Sequence, residues 1–97
     1  MEWEFSGEVF IWRGPAPYYF VAVPADESLD IKEMAPELTY GWGVIPARLV
    51  LGETEWKTSL FPREDRYLIP LKVKVRRAEG VDEGDVVSLR IYLGSLV

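Results

Sequence analysis

The last part of the chain, residues 67–93, is the stretch that most restricts the fold, because it contains two strand-like runs separated by a predicted helix and turn. It opens with the run Tyr-Leu-Ile-Pro-Leu-Lys-Val and closes with a stretch from Val86 in which positions 87, 89, 91 and 93 are apolar. A period of two is typical of a strand with one buried face. Between these two strands, the sequence predicts a short helix over residues 76–79 and a tight Gly-Val-Asp-Glu-Gly-Asp turn.

Two glycines mark the ends of this turn. Gly80 follows the predicted helix, where a residue without Cβ can adopt the left-handed conformation that ends a helix. Gly84 serves the next turn in the same way. We expect the carboxylate of Asp85 to accept backbone N–H groups and to fix the entry to the last strand.

Four more strands and one more helix are predicted upstream. The predicted strands cover residues 2–12, 18–23, 45–51 and 54–61. Gly7 interrupts the pattern of the first strand and suggests a bulge, and Gly52 predicts a two-residue hairpin turn. Residues 26–34 predict one to two helical turns ending before Pro36.

Six short strands separated by turn signals predict a mostly β fold. We expect a small closed or pseudo-closed barrel with one or two short helices, formed by a single domain over residues 1–97. Because such a barrel can close within one chain, we expect a monomer.

The composition excludes several chemistries. The chain has no Cys and no His, so Ser-His and Cys-His nucleophiles, disulfides and ordinary zinc sites are ruled out. No phosphate-binding glycine motif is present, and no cofactor is predicted. Without a secretory leader or a long apolar run, the protein is expected to be cytoplasmic and soluble. The absence of Asn and Gln beside many charged residues resembles the composition of heat-adapted proteins.

The charge is unevenly distributed. Residues 57–77, called here the basic segment, contain seven Lys or Arg and two acidic residues, whereas the whole chain has a net charge of -5. Two interpretations remain open: a solvated face paired with the acidic remainder, and a binding surface for an anionic partner. The acidic residues 26, 27, 30 and 33 fall in a predicted helix, where the dipole favours them near the first turn, and we predict no metal site there.

The order of several segments resembles a known family. These segments are Tyr-Phe-Val-Ala-Val-Pro-Ala-Asp-Glu-Ser (19–28), Tyr-Gly-Trp-Gly (40–43), Trp-Lys-Thr-Ser-Leu-Phe-Pro-Arg (56–63), Tyr-Leu-Ile-Pro-Leu-Lys-Val-Lys-Val-Arg-Arg (67–77) and Gly-Val-Asp-Glu-Gly-Asp-Val-Val (80–87). Together they resemble the family called domain of unknown function 1905 over nearly the whole chain. The resemblance implies a small β-barrel and no established activity.

A weaker similarity covers residues 75–85, Val-Arg-Arg-Ala-Glu-Gly-Val-Asp-Glu-Gly-Asp. This segment is similar to part of the swapped-hairpin barrels of the AbrB and MazE type, which are dimeric transcription factors and antitoxins. The present chain is nearly twice the usual length of that group. A shared helix-turn-strand corner is the alternative explanation.

Two groups of residues are candidates for a site. The polar residues that match the pattern of the resembled family are Thr58, Ser59, Arg63, Lys72 and Arg76. Cations beside hydroxyls can hold a carboxylate or phosphate; alternatively, the hydroxyls satisfy backbone groups and Arg76 pairs with a carboxylate such as Asp85. The aromatic residues Tyr40, Trp42, Trp56 and Tyr67 are candidates for a pocket at the barrel mouth, or else for the core.

These observations predict a small non-catalytic binding or interaction domain for an unknown small molecule or protein. The alternative is an AbrB-like nucleic-acid-binding dimer, which the net negative charge disfavours. An enzyme is the third possibility, restricted to carboxylate, Lys, Tyr and Ser chemistry. No membrane association is expected.

Overall fold

The structure is a computed structural model that describes residues 2–15, 18–38 and 44–93. Its strands are β1 (Glu2–Trp12), β2 (Tyr18–Ala22), β3 (Ile45–Leu51), β4 (Thr54–Arg63), β5 (Arg66–Pro70) and β6 (Val86–Tyr92), and its helices are α1 (Ala25–Leu38) and α2 (Val73–Glu79). The six strands close into an antiparallel barrel in the order β1-β2-β5-β4-β3-β6. The predicted mostly β barrel is therefore confirmed, and it closes within one chain.

The two longest strands, β1 and β4, turn the corners of the barrel. Residues 2–8 of β1 pair with β6, whereas residues 9–12 pair with β2. In β4, residues 54–60 pair with β3 and residues 61–63 pair with β5. Each of these two strands thus pairs with two neighbours along different parts of its length, and this lets the six strands close into a barrel without a free edge.

Gly7 is needed for close packing, and the predicted bulge is wrong. The pairing of β1 with β6 passes through Gly7 opposite Val87 without an extra residue. A Cβ at Gly7 would lie 2.7 Å from Cγ1 of Val21 and 3.2 Å from the carbonyl oxygen of Ala22. Only glycine lets the strands approach this closely at the corner.

The barrel interior is the hydrophobic core, and the predicted alternation defines it. In β3 and β6 every second residue is buried, starting at Ile45 and at Val87. The fully buried side chains include Val9, Val21, Ile45, Leu49, Leu60, Ile69, Leu89 and Ile91. Each such side chain contributes about 1.5–3 kcal/mol through removal of apolar surface from water, which makes the barrel a rigid support for its outer face.

Helix α1 covers the end of the barrel where β5 begins. Ile31 is fully buried, and the hydroxyl of Ser28 donates to the carbonyl of Val23 (3.0 Å) and accepts from the N–H of Tyr67 (3.2 Å). The helix continues through Pro36 to Leu38, so the predicted end before Pro36 is wrong. The tertiary anchors outweigh the local cost of a proline in a helix.

Helix α2 covers the opposite end, and it is longer than predicted. It begins at Val73. Valine favours strands, but Val75 is buried in the core as part of the helix, and this burial outweighs its strand preference. Gly80 ends the helix at φ 64° and Gly84 has φ 90°, as the sequence predicts. The carboxylate of Asp85 accepts the N–H of Asp82 at 2.8 Å, which confirms its predicted role in the turn.

Candidate functional site

The outer face of the barrel carries a row of aromatic side chains. The β1–β2 hairpin places Trp12 directly opposite Tyr18 and Phe10 opposite Phe20, and β5 places Pro70 opposite Phe20. Because alternate residues of a strand share a face, these side chains point away from the core that Val9 and Val21 define. The result is an apolar surface that crosses neighbouring strands.

A groove of about 430 Å³ lies in this surface. We call it the aromatic groove, and it is lined by Trp12, Tyr18, Phe20, Thr58, Phe61 and Pro70. The rings are tilted against one another: Tyr18 and Phe20 are 5.6 Å apart at 46°. They therefore form the walls of a groove.

Three of the groove's rings are unusually exposed. The exposed fraction is 42% for Trp12, 40% for Tyr18 and 44% for Phe61. Single exposed apolar side chains are common on soluble proteins, but a contiguous aromatic patch is typical of a binding surface. The exposure of these neighbouring rings makes the aromatic groove the strongest candidate site among the described residues.

The indole of Trp12 packs closely against two neighbouring residues. The guanidinium carbon of Arg63 lies 4.0 Å from the centroid of the Trp12 ring. Gly14 leaves room for the indole, since a Cβ at that position would lie 2.6 Å from Nε1 of Trp12. A cation over an indole face is attracted by the ring quadrupole, so Trp12 is oriented before any ligand binds.

Part of the basic segment adjoins the groove. The basic segment runs through most of β4, all of β5 and nearly all of α2, where β4 pairs with β5 and α2 packs on β4. The ammonium of Lys72 donates to the carbonyl of Lys57 at 3.1 Å. The ion pairs found in the described part of the chain are Arg13–Glu83, Arg48–Glu55 and Arg90–Glu4, and none involves the basic segment.

A family model for a domain of unknown function (DUF1905) matches residues 5–91. The chain belongs to the DUF1905 family. No curated protein matches this DUF1905 chain. Within the residues the structure describes, no helix is both long enough and apolar enough to cross a membrane.

Of the five predicted polar residues of this DUF1905 domain, two meet at the aromatic groove. Thr58 lines the groove, and Arg63 borders it through its contact with Trp12. Lys72 follows two positions after the groove residue Pro70 and is the N-cap residue of α2.

The remaining two predicted polar residues have different surroundings. Ser59 is half-buried and lies opposite Pro46 in β3. Arg76 stacks on Tyr19, with its guanidinium carbon 3.6 Å from the ring centroid, and its Nε is buried without a partner among the described residues. Its stabilising contact in the structure is thus with an aromatic ring, while Asp85 serves the turn.

The two predicted pocket aromatics that the structure describes, Trp56 and Tyr67, do not line the groove. Trp56 and Tyr67 are 8% and 5% exposed and belong to the core of the DUF1905 barrel. Burial raises the pKa of the Tyr67 phenol, because the ionised form is poorly solvated there. Tyr40 and Trp42 lie outside the described residues.

Sequence reasoning missed Trp12, Tyr18, Phe20 and Phe61 as site residues. Their signal is present in the hairpin pattern: Trp12 and Tyr18 flank the turn that joins β1 to β2, and they therefore face each other. The alternation along β1 shows which side Trp12 faces: Phe5 and Val9 are buried, so the even-numbered residues face outward. The assumed change of phase at Gly7 hid this relationship.

Two other concave surfaces are less suited to a ligand. One is lined by Glu79 and Asp85 together with Gly52 and residues at the start of β6. The other is lined by Arg66, Glu8 and Phe10 with neighbouring β1 and β2 residues. Among the described residues, no group of three acidic side chains is arranged to hold a metal ion.

Proposed function

We propose that this DUF1905 domain is a non-catalytic binding domain and that its ligand site is the aromatic groove. The observation that carries the proposal is the convergence of three rings, each 40–44% exposed, around one groove on a rigid barrel. Burying such rings against a ligand releases about 25 cal/mol per Å² of apolar surface. Because these rings are exposed in the free protein, a ligand that covers them gains binding free energy.

The lining of the groove supports binding in preference to catalysis. Among the described residues, its polar side-chain groups are the hydroxyls of Tyr18 and Thr58 and the indole N–H of Trp12, and no described carboxylate or lysine lines it. A general acid or base needs a titratable group within hydrogen-bond reach of the reacting atom. With no His or Cys in the chain, the titratable side chain on the described lining is the phenol of Tyr18, and the groove offers mainly orientation and apolar contact.

The proposal is tested by titrating the protein with the fluorescent dye anilinonaphthalene sulfonate, which combines aromatic rings with an anionic group. We expect saturable binding that weakens about tenfold in Phe61→Ala, since the loss of one central ring at a binding surface typically has this effect. Leu29→Ala is the matched control, because Leu29 is an exposed apolar residue on α1. Equal dye affinity in wild type and Phe61→Ala would contradict the proposal.

Nucleic-acid binding is the second candidate function. The observation in its favour is that adjoining elements carry both the basic segment and exposed aromatic rings. Proteins that bind single-stranded nucleic acids combine these two features. The net charge of -5 weighs against it, since such binding depends on the release of counterions from phosphates. Titration with oligothymidylate at two salt concentrations tests this function directly.

We further propose that the domain works as a monomer. The support is that the barrel closes within a single chain, so its fold requires no second copy. Light scattering at two salt concentrations measures the molar mass. A stable dimer would contradict the monomer and would favour the paired basic surface that an AbrB-like regulator requires.

A further inference from the structure

We propose that the aromatic groove binds an acidic, proline-containing segment of a partner protein. This inference rests on the proposed function, because it names the class of ligand for the same groove. Three properties of the groove carry it: the tilt of its rings, the charge at its border and the presence of two hydroxyl-bearing residues in its lining.

The tilt of the rings favours amino-acid side chains over stacked bases. The groove rings Tyr18 and Phe20 are inclined by 46°. One face of Trp12 is occupied by the guanidinium of Arg63. Nucleobases need flat exposed platforms, whereas proline rings fit between inclined aromatic walls, as they do in aromatic grooves that bind polyproline helices.

The charge at the border selects an acidic segment. Arg63 borders the groove through Trp12, and Lys72 follows shortly after Pro70, with its ammonium at the carbonyl of Lys57. Neither Arg63 nor Lys72 forms an ion pair within the described part of the chain. Carboxylates that flank the proline residues of a bound segment would therefore meet unpaired positive charges.

The closed barrel and the hydroxyl groups favour an extended segment without β pairing. Strand addition needs an open sheet edge, and the described strands of this barrel have none. A polyproline helix makes no internal hydrogen bonds and keeps its carbonyl groups free. Tyr18 and Thr58 line the groove, and hydroxyl groups are donors of the kind that such carbonyls require.

The first experiment is a selection of short random peptides displayed on phage against the immobilised wild-type protein, with Trp12→Ala as the parallel target. Enriched peptides that contain proline, carry net negative charge and fail to enrich on Trp12→Ala would support the proposal. No enrichment over Trp12→Ala, or enrichment of basic peptides, would overturn it. Circular dichroism checks that the variant folds, and Phe61→Ala replaces it if it does not.

The second experiment titrates the most enriched peptide, labelled with fluorescein, by fluorescence anisotropy. We expect Arg63→Gln to weaken binding about tenfold, as loss of an arginine at a binding hot spot commonly does. Arg66→Gln is the matched control, because it removes the same charge from the basic segment but at a different concave surface. Equal losses in the two variants would indicate a general charge effect and would overturn the specific pairing.

The outcomes separate this inference from the proposed function. If the dye binds at the groove but no acidic proline peptide does, the groove remains a ligand site and the peptide inference fails. If oligothymidylate competes with the dye and no peptide is enriched, the partner is nucleic acid and the inference is overturned. If the wild-type protein binds neither the dye nor any peptide at the groove, the proposed function is contradicted as well.

Discussion

The guanidinium of Arg63 and the indole of Trp12 join two strands that are not neighbours in the barrel. Arg63 belongs to β4 and Trp12 to β1, and β2 and β5 lie between them. The contact therefore joins the two strands that supply Trp12 and Phe61 to the lining of the aromatic groove. It positions Trp12, which has the largest ring of the groove.

The first prediction follows from this contact. Arg63→Gln should change the free energy of unfolding by less than about 1 kcal/mol, because an exposed cation–π pair contributes no more than that. It should nevertheless shift the indole N–H resonance of Trp12, which Trp12→Phe identifies in the NMR spectrum. Arg66→Gln should leave this resonance in place. An unchanged resonance in Arg63→Gln would contradict the positioning role.

The second prediction concerns two glycines in the same backbone conformation. Gly52 has φ 60° and Gly80 has φ 64°, but a Cβ would collide with the Glu79 carboxylate only at Gly52. Gly80→Ala should cost about 1 kcal/mol, which is the conformational cost of a left-handed non-glycine residue. Gly52→Ala should cost about 1 kcal/mol more, as measured by urea unfolding.

The excess cost at Gly52 can be assigned by a double-mutant cycle. Glu79 is held by the hydroxyl of Thr54 at 2.5 Å, so its carboxylate cannot move away freely. If the collision is responsible, Glu79→Ala should remove most of the difference between Gly52→Ala and Gly80→Ala. A difference that persists in the absence of the carboxylate would refute this explanation.

The third prediction concerns Ser28, which is 1% exposed. Ser28→Ala removes the hydroxyl that joins the carbonyl of Val23 to the N–H of Tyr67, and it leaves that buried N–H without this partner. The expected cost is about 1–3 kcal/mol of unfolding free energy. Ser88→Ala is the control, since Ser88 is exposed and should change stability by less than about 0.5 kcal/mol.

The fourth prediction concerns alkaline pH. Burial raises the pKa of Tyr67 in the folded state, so the unfolded chain loses the phenolic proton first. Stability should be unaffected by this group below about pH 10, the ordinary tyrosine pKa, and should fall as the pH rises further. Tyr67→Phe should flatten that fall in urea titrations above this pH. Tyr18→Phe, at an exposed position, is the control, and an equal effect of both variants would argue against burial as the cause.

The sequence predicts the barrel well because its strands are half-buried. In β6 a period of two places Val87, Leu89 and Ile91 inside, and in β3 the same rule places Ile45 and Leu49 inside. The turns at Gly52, Gly80 and Gly84 follow from local conformational preference. These features depend on short-range rules that the sequence displays directly.

Features that depend on distant contacts are harder to predict. The length of α1 is set by anchors such as Ile31 and Ser28, which outweigh the helix-breaking tendency of Pro36. The role of Gly7 depends on the approach of Val21 from another strand. The candidate groove depends on β1, β2, β4 and β5 meeting at one face, and no local pattern contains that information.

The pairing of Glu2 with Tyr92 and of Glu8 with Val86 means that the barrel is sealed by its first and last strands. During synthesis, the part of β1 that pairs with β6 stays unpaired until β6 has left the ribosome, so the barrel closes late. Exposed carboxylates at Glu2, Glu4 and Glu8 line the outer side of this waiting strand. Their mutual repulsion disfavours pairing with β1 of another new chain, so the same residues guard the seam against aggregation while it is open.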